Sequence, residues 1–287
     1  MNENKWDRTL WLILMPALAF ITLLFIYPFF NGMYLSFTDP NGAFTMGNYV
    51  KFFADPWDAQ TIGITLGLAI PATLINVLLA IPFAYYMRHG LKGEKLITFF
   101  LIIPITLGTV LISDGMLTFM GPHGWLNQLL LATGLLKTPF QFTHNYLGVM
   151  ISLVIQGFPF AFLMLLGYVS GIDPHLEKAA QMLGASQWQT FTKIILPLLA
   201  PGIAIAFCLN FVMAFSVFPS AVLLGQPSGP TRVISIAAFH WAFEVFDFNM
   251  GSAVSMVMAA IELSVISIVL LGRQRIYRGA SISGSKG

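Results

Sequence analysis

Six long apolar runs constrain this chain more than anything else in it. They lie near residues 10–36, 61–87, 96–120, 146–170, 198–224 and 248–271. A helix needs about 20 apolar residues to cross the ~30 Å hydrocarbon core of a bilayer, and each run reaches that length. Each also carries Gly, Pro or polar residues, as bundled membrane helices do. The runs predict an all-α integral membrane bundle of six transmembrane helices forming one domain over residues 1–287. Only 9% of the residues are charged, with a mean hydropathy of +0.79. Soluble domains carry roughly 25% charged residues, so membrane lipid is the expected solvent here.

The first run follows Lys5 and Arg8, and Ala17-Leu18-Ala19 has a small-residue pattern like a signal-peptidase site. The run continues through Phe30, longer than a signal peptide needs, and reads as a retained anchor. Orientation follows from Lys and Arg. With the N-terminus in the cytoplasm, Lys5, Arg8, Arg88, Lys92, Lys95, Lys178, Lys193, Arg273, Arg275, Arg278 and Lys286 fall inside. Only Lys51, Lys137 and Arg232 fall outside, a split of 11 against 3. Basic residues favour the cytoplasmic side, so both termini are expected there. Trp57, Trp125 and Trp241 then fall near the outer boundary, where indole rings anchor. The outer connections 37–60, 121–145 and 225–247 carry turn signals: Asp39-Pro40-Asn41-Gly42, Gly121-Pro122-His123-Gly124 and Pro227-Ser228-Gly229-Pro230. Both a structured partner surface and plain connection remain open for these loops.

Catalytic motifs are missing. There is no GxxxxGK[ST] phosphate loop, no HExxH, no Cys–His metal cluster and no GxSxG. The histidines His89, His123, His144, His175 and His240 are scattered, and the lone Cys208 lies in an apolar run. No catalytic residue and no metal site is expected, and no basic tract points to nucleic acid. Acidic residues inside spans are rare and tend to be functional. Asp114 and Glu262 are the two candidates, with no Lys or Arg in the six runs to pair with. They suit either a path for a cationic solute or a protonated, hydrogen-bonded packing role. Asn76, Gln156 and Asn210 suit interhelical hydrogen bonds, and Pro104, Pro159 and Pro219 are candidate hinges.

Residues 171–197 are too polar to span and lie on the cytoplasmic side in this orientation. Asp173 suits an N-cap and Pro174 the first helical turn. Gly184 suits a left-handed C-terminal position, and Ser186 with Gln189 has capping-box spacing. The residues alone leave two readings, a partner-gripped helix or an interfacial loop.

Twenty positions of this segment, EKAAQMLGASQWQTFTKIILP, resemble the coupling loop of ABC importer permeases. That family carries Glu-Ala-Ala, three residues, Gly, nine residues, Ile, one residue and Leu-Pro. Ala179, Ala180, Gly184, Ile194, Leu196 and Pro197 fall in register, with Ala185 following the Gly. The motif Glu position holds Lys178, and Glu177 precedes it. PALAFITLLFIYPFFNGMYLSFTD, GPHGWLNQLL, GPTRVISIAAF and FNMGSAVSMVMA extend the likeness, most of all to permeases for polyamines and related amino compounds such as aminoethylphosphonate. The resemblance implies one permease subunit of a bacterial inner-membrane importer with a cytoplasmic coupling helix. It implies a second permease, usually a different chain, two ATPase subunits and a periplasmic solute-binding protein. ATP and Mg²⁺ would bind the ATPases, leaving no cofactor on this chain. The alternatives are the same importer for a sugar or other organic solute, an ion-coupled secondary transporter, and a scaffold that does not transport.

Overall fold

A computed structural model describes residue 11, residues 14–90 and residues 92–281, with side chains as far as Arg273. Lys5, Arg8 and Lys286, and the side chains of Arg275 and Arg278, lie outside that description. The described residues are helical with no strand, and one antiparallel bridge joins Thr38 and Phe44.

The helices are α1 (Leu14–Ser36), α2 (Gly47–Ala54), α3 (Pro56–Met87), α4 (Glu94–Leu107), α5 (Thr109–Met120) and α6 (Trp125–Ala132). After them come α7 (Tyr146–Ser170), α8 (Pro174–Met182), α9 (Gln187–Phe215), α10 (Pro219–Leu224), α11 (Ile234–Phe239) and α12 (Phe248–Ser281). Five helices are long and apolar enough to cross a membrane by themselves: α1, α3, α7, α9 and α12. The third apolar run differs from its expected form. It is broken, and Glu94–Leu107 diverges by 107° from the stretch Thr109–Ala132. The break falls at Gly108, whose φ of 75° and ψ of 160° lie where only glycine sits without strain. Pro104, the expected hinge, stays inside α4. The fifth run is also interrupted, because α9 ends at Phe215 and Pro219 opens α10 in its first turn. Proline suits that position, where its missing N–H costs nothing.

The chain forms two compact units, the N-terminal residues to Gln60 with Ala237–Ala259, and Thr61–Ile236 with Ala260 onward. In the first unit the turn at residues 39–42 forms as expected. Asp39 Oδ1 accepts from the Asn41 and Ala43 amides, and Gly42 takes a φ of 81°. Buried Asp58 accepts a 2.7 Å bond from Trp241 Nε1, and Lys51 Nζ stands 4.0 Å from the Trp241 ring centre. Trp241 is therefore a packed residue of this unit and more than a boundary anchor. No residue of the most apolar window of α1 is buried.

The second unit holds the core that positions the site. Val77, Ala80, Ile81, Ala84 and Met87 form a stripe on α3 at helical spacing. It packs with Ala161, Phe162, Leu165 and Val169 of α7 and with Ile195, Leu199 and Ala206 of α9. Small residues let the helix backbones come close, which is how helices associate when lipid supplies no hydrophobic drive.

Candidate functional site

The segment after α7 folds by local capping. Asp173 Oδ1 accepts from the His175 amide at 2.9 Å, with Pro174 in the first turn of α8. The helix ends on Gly184 at φ 85°, where the Gly184 amide bonds the Gln181 carbonyl and the Ala185 amide bonds the Ala180 carbonyl. That pair of bonds is the Schellman stop. Ser186 and Gln189 then close a capping box at 3.2 and 2.9 Å and start α9. A π-helical turn at Phe191–Ile195 carries the helix on without a break to Phe215. Residues 187–195 thus belong to the same rod as the span that follows, and Pro197 sits inside it.

The motif residues divide between two faces of α8. Lys178, Ala179, Met182 and Leu183 are exposed, the last two by 83% and 89%. Glu177 and Ala180 are buried. Glu177 faces the end of α3, where its Oε1 stands 2.9 Å from Arg88 Nη1 and its Oε2 2.9 Å from His89 Nε2. The Arg88 and Glu177 side chains are only 7% and 9% exposed. The Nη1 approach is close but poorly aligned for hydrogen bonding, so it counts as an ion pair. Arg88 Nη2 donates to the Ile172 carbonyl at 2.6 Å. His89 Nδ1 stands 2.9 Å from the Tyr85 carbonyl, so both ring nitrogens face oxygen atoms. The Tyr85 ring lies 4.8 Å from Phe191, whose ring is 5.9 Å from Trp188. A cleft of about 410 Å³ opens beside this cluster, bordered by Tyr86, Lys178, Gln181 and Gln187.

A second polar region lies within the spans. Ser220 of α10 is its hub. Its hydroxyl meets Ser113 Oγ of α5 and Ser152 Oγ of α7 at 2.9 Å and accepts from Gln156 Nε2 at 3.0 Å. Asn76 Nδ2 donates to Asn210 Oδ1 at 2.9 Å, and Asn210 Nδ2 to the Gly157 carbonyl at 2.8 Å. These are the interhelical bonds expected for Asn76, Gln156 and Asn210. Gly157 has no room for a side chain, since a Cβ there would lie 2.2 Å from Asn76 Nδ2. A cavity of about 110 Å³ adjoins this network, lined by Gln156, Asn210, Ser216 and Ser220 among apolar neighbours.

A family model described as the binding-protein-dependent transport system inner membrane component matches residues 76–278, covering the core, the capped segment and the polar network. The chain belongs to this family. The permease is 31% identical over 230 residues to the spermidine/putrescine transport system permease protein PotB of Haemophilus influenzae, covering 78% of this chain and 79% of that one. It is 28% identical over 216 residues to a probable sulfate transport system permease protein, cysT, of Prototheca wickerhamii, covering 75% and 83%. Its fold matches a chain of a bacterial ABC transporter involved in the import of the acidic polysaccharide alginate, with a TM-score of 0.78 at 22% identity over 95% and 97% of the chains. The permease is thus a non-catalytic translocation subunit of an ABC importer, an inner membrane component.

The structure does not bring the two acids of the permease together. Asp114 is exposed on α5, one residue past buried Ser113, and has no polar partner among the described residues. Glu262 Oε1 accepts a 2.8 Å bond from Ser216, a residue that also lines the cavity. The amino-acid sequence does not mark Arg88 and His89 as site residues. A basic pair at the end of an apolar run reads as a topology signal, and nothing local marks Glu177 as its partner.

Proposed function

We propose that the permease imports a small organic cation of the polyamine type, with residues 171–197 coupling it to ATP hydrolysis. The carrying observation is Asp114. An ionisable side chain exposed on an apolar helix is costly against lipid, so it belongs beside water or another protein surface. A second permease chain, different from this one, covers that face and encloses the path. Glu262 lies behind Ser216 at the cavity and adds a second acid. The likeness to a spermidine/putrescine permease supports the same substrate class. Both termini face the cytoplasm of a bacterial cell. Two ATPase subunits, carrying ATP and Mg²⁺, grip the exposed face of α8 through Met182 and Leu183 beside Lys178, Ala179 and Ala185. Gly184 sets the turn, and Ile194, Leu196 and Pro197 carry motion into the span. A periplasmic solute-binding protein delivers the solute, and nucleotide and loaded receptor shift the populations of inward- and outward-facing states.

A second reading has its own support. The cavity lining is neutral, with hydroxyls and amides and no charged side chain, as suits a sugar or another uncharged solute. ATPase stimulation of the reconstituted complex by its receptor across polyamines, aminophosphonates, amino acids and sugars separates the two. Stimulation by an amine that falls in Asp114→Asn supports the cation. Stimulation by sugars alone removes it. Import that persists without any ATPase subunit contradicts the coupling scheme.

A further inference from the structure

α8 is joined directly to α7 through residues 171–173 and to α9 through residues 183–186. It is not adjacent in sequence to α3, the third helix of the core, yet Glu177 reaches that helix's end. We infer that Arg88, Glu177 and His89 form a strut that makes α3 move with the coupling helix, Glu177 and Arg88 being positioning residues for transport. The inference rests on the coupling role proposed for α8.

Three observations carry it. The Arg88–Glu177 pair is almost wholly buried, so its two charges are held to each other and cannot be exchanged freely for water. Arg88 grips two places on the moving segment, the Glu177 carboxylate and the Ile172 carbonyl, which fixes distance and angle together. The Tyr85–Phe191 contact adds a second link between the same helix end and the base of α9. Glu177 is thereby withdrawn from the outer face of α8, which leaves Lys178 as the charge presented there. A helix gripped from outside and tied from inside transmits a displacement to all three core helices. Without the tie, α8 follows its grip while α3 lags.

The test uses the full importer in proteoliposomes, measuring solute import and ATP hydrolysis on the same sample. In Glu177→Gln, hydrolysis stays within about two-fold of the parent while solute imported per ATP falls at least five-fold. Arg88→Met gives the same fall, and the double variant is no worse than either single one, as expected for residues acting as a unit. Lys92→Gln, the loss of an exposed charge in the turn between α3 and α4, leaves the ratio unchanged. If Glu177→Gln fails to assemble, Arg88→Cys/Glu177→Cys in a Cys208→Ala background replaces it. Bridging the two thiols with a short bifunctional reagent restores the ratio that the unbridged pair lacks. An unchanged ratio in Glu177→Gln and Arg88→Met, additive losses, or an unbridged cysteine pair that couples normally each overturns the strut. A parent complex whose import ignores ATP overturns the importer reading instead, a different failure.

Discussion

The two polar regions of the second unit solve opposite problems. Beside α8 a buried charge is paired: Arg88 and the His89 ring close on the Glu177 carboxylate, and the backbone carbonyl of Ile172 takes up a further Arg88 donor. In the mid-span network the buried contacts are neutral, Ser to Ser and Asn to Asn, while Asp114 stays exposed and has no polar partner among the described residues. Paired charges resist separation and hold parts in register. Hydroxyls and amides exchange partners at low cost, which suits a surface a solute must pass. This chain pairs its charges at the capped cytoplasmic segment and relies on neutral hydroxyls and amides between its spans.

The largest break in that contrast comes from Glu177→Ala. It leaves Arg88 buried beside no carboxylate, and removing one member of a buried pair costs about 3–5 kcal/mol. Thermal unfolding of the purified permease checks this, with a clear drop in midpoint expected. Gly157→Ala strikes the neutral region by forcing a Cβ into Asn76 Nδ2, at about 1–3 kcal/mol for overpacking. The same unfolding assay should rank it below Glu177→Ala, and the reverse order would mean the mid-span network is the stiffer part. Ser186→Ala removes the capping box at the start of α9 and costs about 1 kcal/mol. Hydrogen exchange should show the first turn opening faster with the span below it unaltered. His89→Gln is the smallest change, below about 1 kcal/mol, because that ring is half exposed.

Local signals were legible in the sequence and long-range pairings were not. Asp173, Pro174, Gly184 and the Ser186–Gln189 box act within a few residues, so spacing alone places them. The existence of the spans followed from run length. The break at Gly108 did not, because one glycine inside an apolar run is compatible with an intact helix. His89 and Glu177 lie 88 positions apart, and only the packing of α3 against α7 and α9 brings them within 2.9 Å. Run length and charge mark Asp114 as an intramembrane acid, but its exposure away from the serine hub depends on which face of α5 the core takes.

One measurement sets the two regions directly against each other: import rate and ATP hydrolysis in proteoliposomes, over a range of solute concentration, for Asp114→Asn and Glu177→Gln. Loss of one charge-assisted contact costs about 1.5–3 kcal/mol, or roughly ten- to a hundred-fold in affinity. Asp114→Asn should raise the half-saturating amine concentration by that order with solute per ATP unchanged. Glu177→Gln should lower solute per ATP and leave half-saturation alone. The same phenotype from both substitutions, or the two phenotypes exchanged, would contradict the division of labour between binding and coupling.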